Sequence, residues 1–225
     1  MIIRHLGRAD YVSTWHAMRQ FNAQRNADTD DELWLVEHPP VFTLGQAGRR
    51  EHVTAASGIP VVATDRGGQV TYHGPGQVVA YPLVDLRRLR IYVKELVFRI
   101  EESVIQTLAA LGVQGRRVAG APGVFTPWPG EASPPFSGVA KIAALGIKVA
   151  GGCSYHGVAV NVAMDLAPYA LIDPCGYAGL RVVDLATLGV REDCKDVGMR
   201  LSERLQAHLS LSPPIHESTL ARLTA

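Results

Sequence analysis

Two apolar runs, residues 141–149 and 155–164, stand on either side of Gly151-Gly152-Cys153. The second run alternates in the two-residue period of a strand, and the first has strand character too. Glycines between two such runs supply the positive φ that a tight turn needs, so the pair can close as an antiparallel hairpin. Shorter apolar runs are available to extend it into a sheet: 2–6, 33–37, 61–64, 77–83, 113–118 and 123–126. His38-Pro39-Pro40 interrupts the 33–37 run, and 41–45 resumes it.

Helices read as clearly. Asp10 can cap one that runs to about Asn26, with Tyr11, Trp15, Met18 and Asn22 along one side. Residues 92–111 carry Val93, Leu96, Val97, Ile100, Val104, Leu108 and Leu111 at intervals of three and four, and Gly112 ends that stripe. Residues 196–210 repeat the pattern with Val197, Leu201, Leu205 and Leu209. Residues 165–172 read as a short helix, while 182–190 fit no single element. Strands precede, follow and interleave with the helices without regular βα alternation. The expected class is α+β: a mixed, largely antiparallel sheet with flanking helices on one side. The 225 residues read as a single domain, 1–225, with a weakly patterned tail after about residue 212.

A formal net charge of +1 makes no global electrostatic case for nucleic acid or a membrane surface. No run of about 18 apolar residues is present to span a bilayer. The first residues lack the apolar core of a signal peptide. The three cysteines are irregularly spaced, which argues against a disulfide framework and against a CxxC zinc site. A cytoplasmic protein with reduced thiols and no metal or cofactor is the expectation.

Residues 66–77 pack four glycines, a proline and several polar side chains between two strand candidates. The stretch is either a structural connection or a loop that wraps a ligand and offers it amide N–H groups. Cys175 sits in a Pro-Cys-Gly turn, where a side chain can face a cleft; it is either a reactive thiol or inert packing. Lys141 heads an apolar run. It either snorkels to solvent or, at the edge of the core, lowers a cysteine pKa and exchanges protons. His73 and His156 can each serve as a base or a hydrogen-bond donor, or be satisfied structural residues. No HExxH pair, GxxxxGK[ST] phosphate loop, dinucleotide fingerprint or GxSxG elbow occurs. Residues 127–138 hold four prolines, two glycines and two serines, the composition of a surface loop or lid.

Three ordered stretches resemble the lipoyl(octanoyl) transferases, the acyl transferases of lipoate biosynthesis. They are Arg66-Gly67-Gly68-Gln69-Val70-Thr71-Tyr72-His73-Gly74-Pro75-Gly76-Gln77; Lys141-Ile142-Ala143-Ala144-Leu145-Gly146 followed by residues 152–162; and Asp173-Pro174-Cys175-Gly176-Tyr177-Ala178-Gly179-Leu180. The resemblance implies a fold like that of the biotin and lipoate protein ligases. It implies transfer of an octanoyl group from octanoyl-acyl carrier protein to a lysine of lipoyl domains, those of 2-oxoacid dehydrogenases and of glycine cleavage H protein. It makes Cys175 the carrier of the acyl thioester and Lys141 its assistant. It places acyl-binding residues at Arg66, Gly67, Gly68, Gln69, Val70, Thr71, Tyr72 and His73, at Ala144, Leu145 and Gly146, and at Gly157, Val158 and Ala159. Two departures stand out: Phe125 where the similar Pro-Gly-Val segment leads to Trp, and a longer 127–138 stretch. The rival readings are an ATP-using lipoate or biotin ligase and a silent scaffold that binds carrier or lipoyl domains. Arg49-Arg50 and Arg87-Arg88 with Arg90 are either a patch for acidic partners or solvated surface charge.

Overall fold

A computed structural model of the chain describes residues 1–53, 58–129, 134–173 and 180–210. Its elements in order are β1 Ile2–Arg8, α1 Tyr11–Gln24, β2 Glu32–Glu37, β3 Val41–Leu44, β4 Val61–Ala63, β5 Val70–His73, β6 Gln77–Leu83, α2 Leu86–Leu89, α3 Val93–Ala110, β7 Arg116–Val118, β8 Ala121–Pro127, β9 Val139–Ala150, β10 Cys153–Asn161 and α4 Cys194–Leu209. Single 3-10 turns occur at Arg50–His52 and Ala167–Leu171.

The β9–β10 hairpin lies inside a seven-stranded sheet ordered β1-β2-β6-β10-β9-β8-β7. Only the β1–β2 pair is parallel. The turn is Gly151-Gly152, at φ +57° and +80°, and Cys153 is already paired with Ala150. A second sheet, β4-β3-β5, stands apart. The expected continuation of β2 into 41–45 is therefore corrected. Pro39 and Pro40 have no N–H to give a ladder, and the chain crosses to the small sheet there. The stretch 66–77 is likewise not one loop, since its middle forms β5 and pairs with β3.

The helices flank the sheet on both faces rather than one. Leu33, Leu35, Val78, Ala80, Val158 and Val160 join Leu96, Ile100, Val104, Leu201 and Leu205 of α3 and α4 in one apolar cluster. The alternate residues Trp34, Val36, Val79, Tyr81 and Ala159 form another with Met18, Trp15 and Phe21 of α1. Strands covered on both sides read as unbroken apolar runs, which hides the second layer from pattern analysis. The N-caps are local: Asp10 accepts the Ser13 N–H and Asp193 the Asp196 N–H. Among the described residues, no helix is long and apolar enough to cross a membrane.

Candidate active site

Strand β9 is paired to β8 only as far as Ala144. Beyond that point its free edge receives the glycine-rich turn instead: the Gly67 N–H donates to the Ile147 carbonyl at 3.0 Å. Gly146 permits this approach, because a Cβ there would stand 2.7 Å from the Gly67 carbonyl oxygen. Arg66 locks the turn to β3. Its buried guanidinium donates to the Thr43 carbonyl at 2.6 Å, the Thr43 hydroxyl at 2.9 Å, the Gln69 carbonyl at 2.7 Å and the Gly67 carbonyl at 2.9 Å.

Between this turn and the hairpin runs a cavity of about 400 Å³. Its wall contains the sequence-predicted Arg66, Gly67, Gly68, Gln69, Val70, Thr71, His73, Lys141, Ala144, Leu145, Gly146, Gly157, Val158 and Ala159. Tyr72 is not on that wall. Its ring packs 5.6 Å from Phe42 and 5.5 Å from Tyr169 in the apolar cluster of the small sheet. The expected role of Gly157 is narrower than a pocket glycine's. A Cβ there would lie 1.9 Å from the Ala80 carbonyl oxygen, so the residue serves the close packing of β10 on β6. Cys175, within 174–179, lies outside the described residues.

Lys141 is 4% exposed, on the cavity wall at the β8 end of β9. Its ammonium donates to the Pro122 carbonyl at 3.1 Å and stands 5.3 Å over the Phe125 ring. Its backbone pairs with the segment just downstream of Cys175: Lys141 N to the Arg181 carbonyl at 2.8 Å, Val183 N to the Lys141 carbonyl at 3.0 Å. The two departures from the family pattern meet beneath it, since Phe125 stacks on Phe136 of the proline-rich stretch at 5.4 Å.

The opposite end of the cavity is polar. Asp65 accepts from Trp15 Nε1 at 2.9 Å, from the Tyr155 hydroxyl, and from His156 Nε2 at 2.9 Å. Burial pushes its carboxyl up, but the Tyr155 and His156 hydrogen bonds prevail and hold it below the usual range. The bond to Asp65 fixes the Nε2–H tautomer of His156 and leaves Nδ1 an acceptor, buried and without a partner among the described residues. His156 also sits at φ +60°. Burial lowers its pKa to about 4 and that of His73 to about 3. His73 donates from Nδ1 to Gln77 Oε1 at 2.8 Å, while Gln77 Nε2 donates to Asn161 Oδ1 at 2.9 Å. Burial thus makes both imidazoles weak proton acceptors, which suits walls better than bases.

Several wall residues had no sequence signal. Tyr11, Tyr81 and Tyr169 reach the cavity only through packing, as do Val93 and Val97 of α3. Asp65, next to Arg66 in the chain, joins the polar end in the same way. Of the proposed basic patch, Arg87 is paired to Asp85 at 2.7 Å, and Arg88 donates to the Ala27 and Thr29 carbonyls. Arg49 and Arg50 are exposed. Nearby, the His52 carbonyl accepts the Asp173 N–H at 3.0 Å. Among the described residues no group of His, Cys, Asp or Glu has the arrangement of a metal site.

Comparison with known proteins agrees with this architecture. The octanoyltransferase of Methylibium petroleiphilum is 58% identical over 218 residues, covering 92% of this chain and 97% of that protein. The octanoyltransferase of Variovorax paradoxus is 56% identical over 216 residues, covering 91% and 96%. A bipartite lipoate protein ligase from Thermoplasma acidophilum, studied with its E2 lipoyl domain, superposes with a TM-score of 0.72 at 17% identity, over 99% of this chain and 90% of that one. At that identity the likeness speaks to the fold, which is the expected one of the lipoate protein ligases. Residues 10–206 match the lipoyl protein ligase A/B catalytic domain. The chain belongs to the lipoyl protein ligase A/B catalytic domain family and is an acyltransferase, an octanoyltransferase by its kinship.

Proposed function

We propose that the chain, acting as one domain over 1–225, moves an octanoyl group from octanoyl-acyl carrier protein to a lysine of lipoyl domains. Those of 2-oxoacid dehydrogenases and glycine cleavage H protein are the acceptors in this reading. Cys175 carries the acyl group and Lys141 handles the protons. The observation that carries the reading is a buried ammonium on the wall of an acyl-sized cavity, with its backbone paired to the 181–183 segment just past Cys175.

The other two cysteines support the choice by their unsuitability. Burial raises the Cys153 thiol. Burial, then the Glu37 carboxylate, pushes Cys194 up to about 12. Neither is a thiolate at neutral pH.

In the first half-reaction the Cys175 thiolate attacks the donor thioester carbonyl. The new C–S bond forms, the carrier's C–S bond breaks, and the departing thiolate takes a proton from the Lys141 ammonium. One thioester replaces another, so this step is close to thermoneutral. In the second, the acceptor amine attacks the Cys175 thioester and gives up a proton to neutral Lys141. The C–N bond forms and Cys175 leaves as thiolate, which restores both groups. Amide formation from a thioester runs downhill, so the chemistry requires no nucleotide. The wall formed by Val79, Leu145, Ile147 and Val158 suits the octanoyl chain, at about 0.8 kcal/mol per buried methylene before ordering costs. A reducing, cytoplasmic setting keeps the thiol available.

Intact-mass measurement tests this. Wild type mixed with octanoyl-carrier protein gains one octanoyl group, Cys175→Ser gains none, and a lipoyl domain chases the adduct off. An adduct that persists in Cys175→Ser excludes Cys175 as the carrier.

A further inference from the structure

Glu101 lies on the core side of α3 and is 6% exposed. It is not on the cavity wall, yet it is two hydrogen bonds from the lysine that is. Its Oε1 accepts the Gly123 N–H at 2.9 Å. The other end of that same peptide unit, the Pro122 carbonyl, accepts the Lys141 ammonium at 3.1 Å. A peptide group is planar, and in the trans form its N–H and C=O point in opposite directions. The Pro122–Gly123 peptide therefore lies between a carboxylate and an ammonium, with each end of its dipole facing the charge it favours. Hydrogen bonds linked in this way polarise one another.

Three further features hold this arrangement. Arg117 Nε donates to the second Glu101 oxygen at 3.0 Å, and its Nη2 donates to the Phe98 carbonyl at 2.9 Å and to Glu102 at 2.9 Å. The carboxylate is thus gripped on the side away from the peptide. Gly123 is at φ +123°, and a Cβ there would stand 2.8 Å from Lys141 Cε and 2.5 Å from the Ala143 carbonyl oxygen. Only glycine lets this peptide lie against the lysine stem. The β8–β9 register also shifts between Val124 and Phe125, next to Lys141. Irregularities of this kind re-aim side chains beside active sites.

We propose that Glu101 is a positioning residue for acyl transfer: through the Pro122–Gly123 peptide it sets the place of the Lys141 ammonium. The inference rests on the reading of Lys141 given above. It assigns Glu101 no contact with substrate.

The experiment is a double-mutant cycle on octanoyl transfer, with thermal midpoints measured alongside. Glu101→Ala should lower kcat about 10- to 100-fold, the scale of a small misplacement, and leave the KM for the octanoyl donor essentially unchanged. Glu101→Asp, one methylene shorter, keeps its charge beside Arg117 but withdraws from Gly123, and should lose kcat in the same way. Glu101→Gln keeps an Oε1 acceptor and should recover most of it. In a Lys141→Ala background, Glu101→Ala should have little further effect, because both changes remove one device. If Glu101→Ala does not fold, the Asp and Gln variants decide. Full kcat in folded Glu101→Ala or Glu101→Asp, or losses that simply add to that of Lys141→Ala, would overturn the proposal. Full kcat in Lys141→Ala would sink the lysine reading itself, and this proposal with it.

Discussion

The two faces of the large sheet are built by the same strands and differ in chemistry. On the α3/α4 face, β2, β6 and β10 present Leu33, Leu35, Val78, Ala80, Val158 and Val160 to aliphatic side chains. On the α1 face the intervening positions include Tyr81, and around them gather Tyr11, His38, His73, His156 and Arg66. Both faces bury their side chains, so burial does not distinguish them. They differ in how polar atoms are satisfied. The first face has few such atoms. The second holds them in fixed hydrogen-bond chains, such as His38 between the Ala9 carbonyl and the Tyr81 hydroxyl. The aliphatic side lends Val93, Val97 and Val158 to the cavity wall, and the polar side supplies Tyr11, His73 and His156.

That division can be broken by experiment, and the largest effect belongs to the chemistry. Lys141→Ala should cut kcat by about 10²- to 10⁴-fold, the range of a lost acid–base group, and leave the fold standing by circular dichroism. Next comes Ile100→Ala in the apolar cluster under α3 and α4. It should cost about 2–5 kcal/mol in denaturant titration, with kcat per folded molecule kept. If Ile100→Ala instead lowered kcat as Lys141→Ala does, packing and chemistry would not be separable.

A smaller effect should appear with pH. His156 is held near 4 and His73 near 3, below their ordinary value of 6.5. As pH falls, the unfolded chain binds these protons first. Their contribution is therefore complete above about pH 6.5 and is lost progressively toward pH 4 for His156 and pH 3 for His73. Each gives a slope of about 1.4 kcal/mol per pH unit within its window. Denaturant midpoints taken stepwise from neutral to acidic pH should show the slope, reduced in His156→Gln; an unchanged slope in that variant would show that the ring carries none of it. Smallest of all, replacing Arg49 and Arg50 with Glu should raise the KM for an acidic protein partner several-fold, in a salt-sensitive way, and leave kcat alone. An unchanged KM at low salt would make them ordinary surface charge.

Much of the scaffold was legible because it is encoded locally. The hairpin turn fell on Gly151-Gly152, the α3 stripe ran to the positive-φ Gly112, and Asp10 capped α1. What escaped was information held between elements. The second helical layer was hidden because β2 and β6, buried on both faces, read as unbroken apolar runs. The small sheet was missed because prolines mark an interruption without saying where the chain goes next. Much of the cavity wall was named in advance through the resemblance of two of the motifs, whereas Tyr72, in the middle of one, packs on Phe42 and Tyr169 instead. Asp65 and Glu101 had no motif at all: one orients His156 and the other the Pro122–Gly123 peptide, roles that exist only after folding.

The hairpin itself acts as a gauge. Lys141 is six residues along β9 from Ile147, which pairs with His156. At about 3.4 Å per residue, that places the two ends of the cavity roughly 20 Å apart along one strand. Both ends ride on one strand, and a slip by one residue would turn every side chain to the wrong face. The space between the two marks is then set by the side chains that line it, Leu145, Ile147 and Val158 among them.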